Sequence, residues 1–187
     1  MRVLLAAPCL LIVGVLTGCP PIETKIPSST TFDVPGSGIL DPSPLAPELA
    51  FPTDVVAQAL ADSISQSLDT SGYDKGAVTS LKLTKLTLTV EEPNNPGGVQ
   101  IRGLGFLESL VIFLGAPGGA PVQVAASGAG AFDDNPVSYD MPLSGAELAA
   151  AFKASDALEM SADVSATQPQ FATTVDVNSE ITVQIGL

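Results

Sequence analysis

The chain has 187 residues, 45% of them apolar, with 7 Lys and Arg against 20 Asp and Glu, a formal charge of −13, and no His or Trp. That length suits one domain with enough chain to bury a real core. The charge argues against nucleic acid as a partner, and a lack of His with only two Cys excludes Cys/His zinc sites, His-based triads and imidazole acid–base chemistry.

Met1 and Arg2 give a minimal positive end, and Val3 to Leu16 is fourteen residues without a charge. A membrane-spanning helix needs roughly 20, so this run has the length of a signal-peptide hydrophobic segment, removed rather than retained. Small residues Thr17 and Gly18 stand directly before Cys19, with Leu16 three positions ahead of it. The stretch Leu16-Thr17-Gly18-Cys19 resembles the lipobox of bacterial lipoproteins; the alternative is a plain secretory signal that contains a cysteine. The resemblance implies recognition of Leu16, Thr17 and Gly18 by the signal peptidase and cleavage before Cys19. It also implies a diacylglyceryl group on the Cys19 sulfur and a third, palmitate-like chain on the new amino group. At about 0.8 kcal/mol per buried methylene, two or three chains hold a protein on a membrane almost permanently.

Residues 1–18 are then a leader, 19–21 the anchored Cys and a short tether, and 22–187 the domain, whose six Lys and Arg against twenty acids give −14. Cys9 leaves with the leader and Cys19 becomes a thioether, so packing alone must hold the domain. An acidic domain is repelled by anionic headgroups and is expected to stand off the lipid, yet Pro20 and Pro21 span only about 6 Å and hold it close. Pro20 after Cys19, in place of the aspartate associated with inner-membrane retention, favours the outer membrane.

From Ile22 the even positions to Val34 are apolar or small and the odd ones polar, which predicts a half-buried strand, and Pro27 within it predicts an edge position. Five prolines in 35–52 predict an irregular crossing. Thr53 reads as an N-cap, and Val56, Leu60, Ile64 and Leu68 fall four apart, as on a helix that is all helical to Leu68 or yields to a short strand near Ile64, because Ser63, Ser65 and Ser67 are poor helix formers. Asp69, Ser71 and Asp74 with Gly72 and Gly76 form either a calcium loop or, more ordinarily, a helix-to-strand turn. The EF-hand pattern is not met, since Tyr73 and Ser80 stand where oxygen ligands are needed.

Ser80 to Val90 is a strand whose apolar phase changes from odd to even positions, which predicts a bulge near Thr84 and Lys85. Residues 91–98 end it as a turn cluster, and Gly103-Leu104-Gly105 lacks the third glycine of a dinucleotide loop. Phe106 to Leu114 reads as a central strand covered on both faces, followed by a strand at 122–126. Asp133 and Asp134 before Asn135-Pro136 are a second candidate cation loop, with an Asx turn as the ordinary reading. After an alternating stretch from Val137 to Leu143, Ser144 and Glu147 form a capping box and Leu143 with Leu148 a staple, predicting a helix from Gly145 to about Lys153 that buries Leu148, Ala151 and Phe152. Alternation over 158–167 and again over 171–187, with a reversal at Gln168-Pro169-Gln170, predicts a hairpin.

Seven or eight short strands with one or two short helices describe a mainly β fold, an antiparallel β-sandwich of immunoglobulin-like type. The segment from Asp74 onward is similar to uncharacterised bacterial surface lipoproteins with one small sandwich domain. Leu83-Thr84, Leu86 to Val90, Pro93, Phe106-Leu107-Glu108-Ser109 and the alternating tail carry that likeness, which implies the fold and no activity. The expected role is a lipid-anchored cell-envelope protein with a non-catalytic structural or protein-interaction function. Its partners are the membrane, through Cys19, and another envelope protein; no cofactor and no catalytic residue are expected. The alternative is a calcium- or carbohydrate-binding module using the loops at Asp69, Asp74, Asp133 and Asp134. An enzyme built on Asp74 with Asp133, or on Ser80 with Lys82, is the least supported class.

Overall fold

The computed structural model describes residues 21–36, 53–91, 103–155 and 157–186. Among the described residues seven strands form two antiparallel sheets, and their residues alternate between core and solvent as the period of two requires. The strands are β1 (Ile22–Val34), β2 (Val78–Val90), β3 (Leu107–Gly115), β4 (Val122–Ala126), β5 (Ser138–Asp140), β6 (Glu159–Ala166) and β7 (Thr173–Ile185). One sheet has the order β1-β7-β2-β5 and the other β4-β3-β6. The two inner faces share one core, in which Val34, Leu81, Leu88, Leu110, Ile112 and Ile181 are sealed from solvent. The arrangement is a β-sandwich.

β1 lies at the edge of its sheet, where the ring of Pro27, which has no N–H to donate, is tolerated. In β2 the register against β7 slips between Leu83 and Lys85, so the bulge falls on Thr84. The Thr84 hydroxyl lies 3.2 Å from the Glu180 carbonyl oxygen and 3.1 Å from the Thr182 hydroxyl, which fixes the extra residue in place. A second slip, between Val78 and Ser80, had no counterpart in the apolar pattern.

α1 (Thr53–Ser71) is helical throughout, so of the two alternatives the all-helical one holds and no short strand forms near Ile64. The Ser63 hydroxyl donates to the Ala59 carbonyl at 2.7 Å, bonding within the helix instead of competing with it. Its buried stripe of Val56, Ala57, Leu60, Ala61, Ile64 and Leu68 packs against β1 and β6, which are the outer strands of different sheets. The helix therefore closes one side of the sandwich.

The other side is closed by the chain itself. β5 pairs with β2, Met141 N–H donates to the Leu86 carbonyl at 2.9 Å, and then the chain changes sheets. Ala126 N–H donates to the Pro142 carbonyl at 3.1 Å, Ser144 N–H to the Val124 carbonyl at 2.9 Å, and Leu143 bridges Ala125. The alternation from 137 to 143 predicted one strand; Pro142, lacking an N–H, is where that strand ends.

Two further expectations are corrected. β6 and β7 do not form a hairpin: β6 pairs with β3 and β7 lies between β1 and β2, with residues 167–172 crossing from one sheet to the other. Alternation specifies which face a residue takes but not which strand it pairs with. β3 is central in its sheet, as expected, but only one face is sealed, since Val111 and Phe113 on the opposite face are partly exposed. The buried polar residues Thr173 and Ser179 are each bonded, to the carbonyls of Phe171 (3.0 Å) and Ser28 (3.3 Å). Among the described residues no helix is long and apolar enough to cross a membrane.

Candidate functional site

The first acidic loop is built as a helix stop. Gly72 takes φ +75°, its N–H donates to the Asp69 carbonyl at 3.1 Å, and the Tyr73 N–H reaches the Leu68 carbonyl at 3.0 Å, the paired bonds of a Schellman motif. Asp74 then caps a single turn of 3₁₀ helix at Lys75–Ala77, its Oδ1 accepting from the Ala77 N–H at 3.2 Å. Of the side-chain oxygens suggested by sequence for a cation, Asp74 Oδ1 is thus engaged in starting the next element.

The second acidic loop is a run of turns. Ala131, Asp133 and Asn135 donate to the carbonyls of Gly128, Gly130 and Phe132, and the Phe132 ring is buried edge-on against Tyr139 with centroids 5.0 Å apart. Asn135 sits at φ 49° and accepts from the Gly105 N–H through Oδ1 at 2.9 Å. A methyl group on Gly103 would lie 2.4 Å from the Asn135 carbonyl oxygen, so the Gly103-Leu104-Gly105 spacing makes room for Asn135. A cleft of about 270 Å³ opens beside it, walled by Gly105, Phe106, Thr167, Gln168 and Phe171, and among the described residues no charged side chain lines it.

These two loops lie at opposite ends of β2, whose 13 residues span roughly 40 Å at about 3.3 Å each. Asp74 and Asp133 are therefore far beyond the 5–9.5 Å or so at which paired carboxylates cleave glycosides. Among the described residues no group of three or more Asp, Glu, Cys or His is placed to hold a metal ion. Leu16, Thr17, Gly18 and Cys19 lie outside the described residues.

Sequence reasoning misplaced Glu147. Helix α2 begins only at Ala149 and runs to Ala154, and its N-cap, Leu148, makes no side-chain capping bond; Ala151 is only half-buried. Glu147 instead accepts from the Leu81 N–H and the Ser80 hydroxyl, each at 2.6 Å, and from the Ala149 N–H at 3.0 Å, while the Leu148 N–H donates to the Leu81 carbonyl. The carboxylate thus completes the ladder at the edge of β2 that β5 leaves uncovered. Partial burial works against its charge. The bonds from Ser80, Leu81 and Ala149 and the nearby Lys82 ammonium outweigh that and hold the carboxyl below the usual glutamate range. The Ser80 hydroxyl is engaged with Glu147 and not with Lys82.

The outer face of the four-stranded sheet is polar and its charges are sorted. Lys25 and Lys82 flank Thr182 in one cross-strand row, and Lys85 stands beside Glu180 in the next. Lys25 Nζ is 3.1 Å from Glu180 Oε1, and this contact is the chief reason the Glu180 carboxyl lies below its ordinary range. Lys75 is in the turn that precedes β2, and Lys153 is on α2, which packs against that turn. Lys25, Lys75, Lys82 and Lys153 therefore lie toward the end at which β1 begins, while Lys85, in the row of Pro27, is near mid-strand. No family model, curated protein or solved structure matches the chain.

Proposed function

We propose that this is a lipid-anchored protein of the bacterial cell envelope, in the outer membrane, whose sandwich has a structural or protein-interaction role and no catalytic one. The observation that carries the reading is the order of the N-terminal residues: a short uncharged run, Leu16-Thr17-Gly18-Cys19, and then β1 beginning only three residues after the cysteine. A strand that starts there leaves no stalk, so the anchor and the domain act as one body. The separation of the acidic loops, with Asp74 occupied in capping, supports a display or docking module over a cation or sugar site and over a carboxylate-pair hydrolase.

The test is metabolic labelling with radioactive palmitate in a bacterial host, with Cys19→Ser as the comparison. Label on the wild-type protein in the membrane fraction, and its loss together with release of the Cys19→Ser protein from that fraction, is the expected outcome. Unlabelled wild-type protein found free of membranes overturns the anchor. Thermal unfolding with and without 1 mM calcium addresses the other class. A calcium site of about 10 μM affinity would add roughly 2.7 kcal/mol, and an unchanged midpoint is expected.

A further inference from the structure

The outer faces of the two sheets are built differently. Every outward residue of β7 from Thr174 to Gln184 is polar, and so are Lys82, Lys85, Thr87 and Thr89 of β2 and the outward residues of β1 other than Pro27. On the three-stranded sheet β6 presents Glu159, Ser161, Asp163 and Ser165, but its central neighbour β3 sets Val111 beside Asp163 and Phe113 beside Ser161. Both apolar side chains are partly exposed, and neither belongs to the core. At the end of this row Pro117 and Gly118 form a turn, with Gly118 at φ +69° and the Gly119 N–H on the Ala116 carbonyl at 2.8 Å. The Gly118 N–H donates to Glu159 Oε2 at 3.1 Å, which leans the turn toward β6. A recess of about 230 Å³ lies between them, walled by Ala116, Gly118, Pro121, Glu159 and Ser161. Among the described residues Glu159 is its single charge, and Oε1 of that carboxylate is uncommitted.

We propose that this outer face is a docking surface for a basic and apolar segment of another protein, with a lysine or arginine of the partner in the recess against Glu159 and a neighbouring apolar side chain on Phe113 and Val111. The proposal rests on the protein-interaction reading given above and deepens it; it does not depend on acylation of Cys19. Charge complementarity selects the occupant. β3, β4, β6 and the turn that joins β3 to β4 hold Glu108, Glu159 and Asp163 and no Lys or Arg, and among the described residues none of the three acids is in an ion pair. Glu108 accepts from the Ser165 hydroxyl at 2.6 Å, whereas Asp163, beside Val111, has no such bond. An anionic bilayer is repelled by such a face, and a second copy meeting it face to face would present the same acids. A partner's cation seated on Glu159 beside apolar surface is partly shielded from water, where a charge-assisted bond is strongest. Pro117 and Gly118 supply the two conformations their turn requires, so the recess is formed before any partner arrives.

The experiment follows amide NMR shifts of the isotope-labelled full chain in non-ionic detergent. The probe is the capped peptide Leu-Lys-Leu-Lys-Leu, with Leu-Glu-Leu-Glu-Leu as its acidic counterpart. Saturable shifts centred on Phe113, Gly118, Glu159, Ser161 and Asp163 are expected with the lysine peptide and none with the acidic one. Glu159→Gln, which can still accept from Gly118, should weaken the affinity roughly tenfold, and Phe113→Ser by a similar factor. Asp176→Asn, which removes a charge from the other sheet, should leave it within about twofold. Shifts that map to the four-stranded sheet, or equal losses in Asp176→Asn and Glu159→Gln, overturn this surface while leaving an interaction role intact, since the peptide then answers net charge alone. No shift at about 1 mM peptide overturns the docking chemistry. Dimers of the wild-type chain that Phe113→Ser abolishes give the face to a second copy, and shifts at the same residues with phosphatidylglycerol vesicles give it to a lipid; either overturns the basic partner. A chain that takes no palmitate yet binds the peptide here overturns the anchor and leaves this surface standing. The shift map and Glu159→Gln carry the test even where Phe113→Ser folds poorly.

Discussion

The Glu147 carboxylate stands in for a strand. Its bonds to Ser80 and Leu81 cover backbone that would otherwise be an open edge of β2, and they depend on its charge. Because its folded pKa is depressed, the unfolded chain holds that proton more tightly. The stability it contributes is therefore fully present above the ordinary glutamate value of 4.5 and is lost as pH falls through the lower folded value. Glu147→Gln should cost about 1 kcal/mol at pH 7 once solvent screening is allowed for. The gap between the two proteins' urea midpoints should narrow as the pH is lowered past 4.5 toward 3. A gap that stays constant would mean the side chain matters for its shape alone. The signal for this residue was present in the sequence, as an acid three places after Ser144, but the pattern S-x-x-E does not say whether the acid turns back to its own helix or out to a neighbouring strand. Gly145, at φ +71°, bends the chain between them and decides the matter.

At the level of elements, the faces were legible and the partners were not. The alternation along β7 marks every buried position from Thr173 to Ile185, and the phase change in β2 located the bulge at Thr84, because both follow from side-chain period alone. The placement of β7 between β1 and β2 comes from contacts with residues more than 80 positions away, which no local pattern encodes. That placement makes removal of Ile181 to Leu187 a severe lesion. It strips paired residues from β1 and β2 at once, and the truncated protein should lose cooperative melting by circular dichroism. Helix α1 offers a finer probe. Ile64 is fully buried where the helix packs between the outer strands of the two sheets, and Ile64→Ala should lower stability by about 2 to 5 kcal/mol in urea titration. A cost near zero would show that the helix rests on the sandwich without closing it.

For the whole molecule, charge opposes packing. A formal charge of −13 sets net mutual repulsion against a core that is otherwise continuous. Raising NaCl from 0.02 to 0.5 M should therefore raise the thermal midpoint by a few degrees, and a fall would mean that ion pairs such as Lys25–Glu180 outweigh the repulsion. The unfolding should be a single transition, since the buried side chains of both sheets and both helices belong to one cluster.

The pairing of β1 with β7 also has a consequence for how the protein comes into being. A ribosome delivers β1 first and β7 last, so the four-stranded sheet has no centre until almost the entire chain has been made. Contacts this remote in sequence form slowly. The four-stranded sheet therefore closes only once β7 has been laid between β1 and β2.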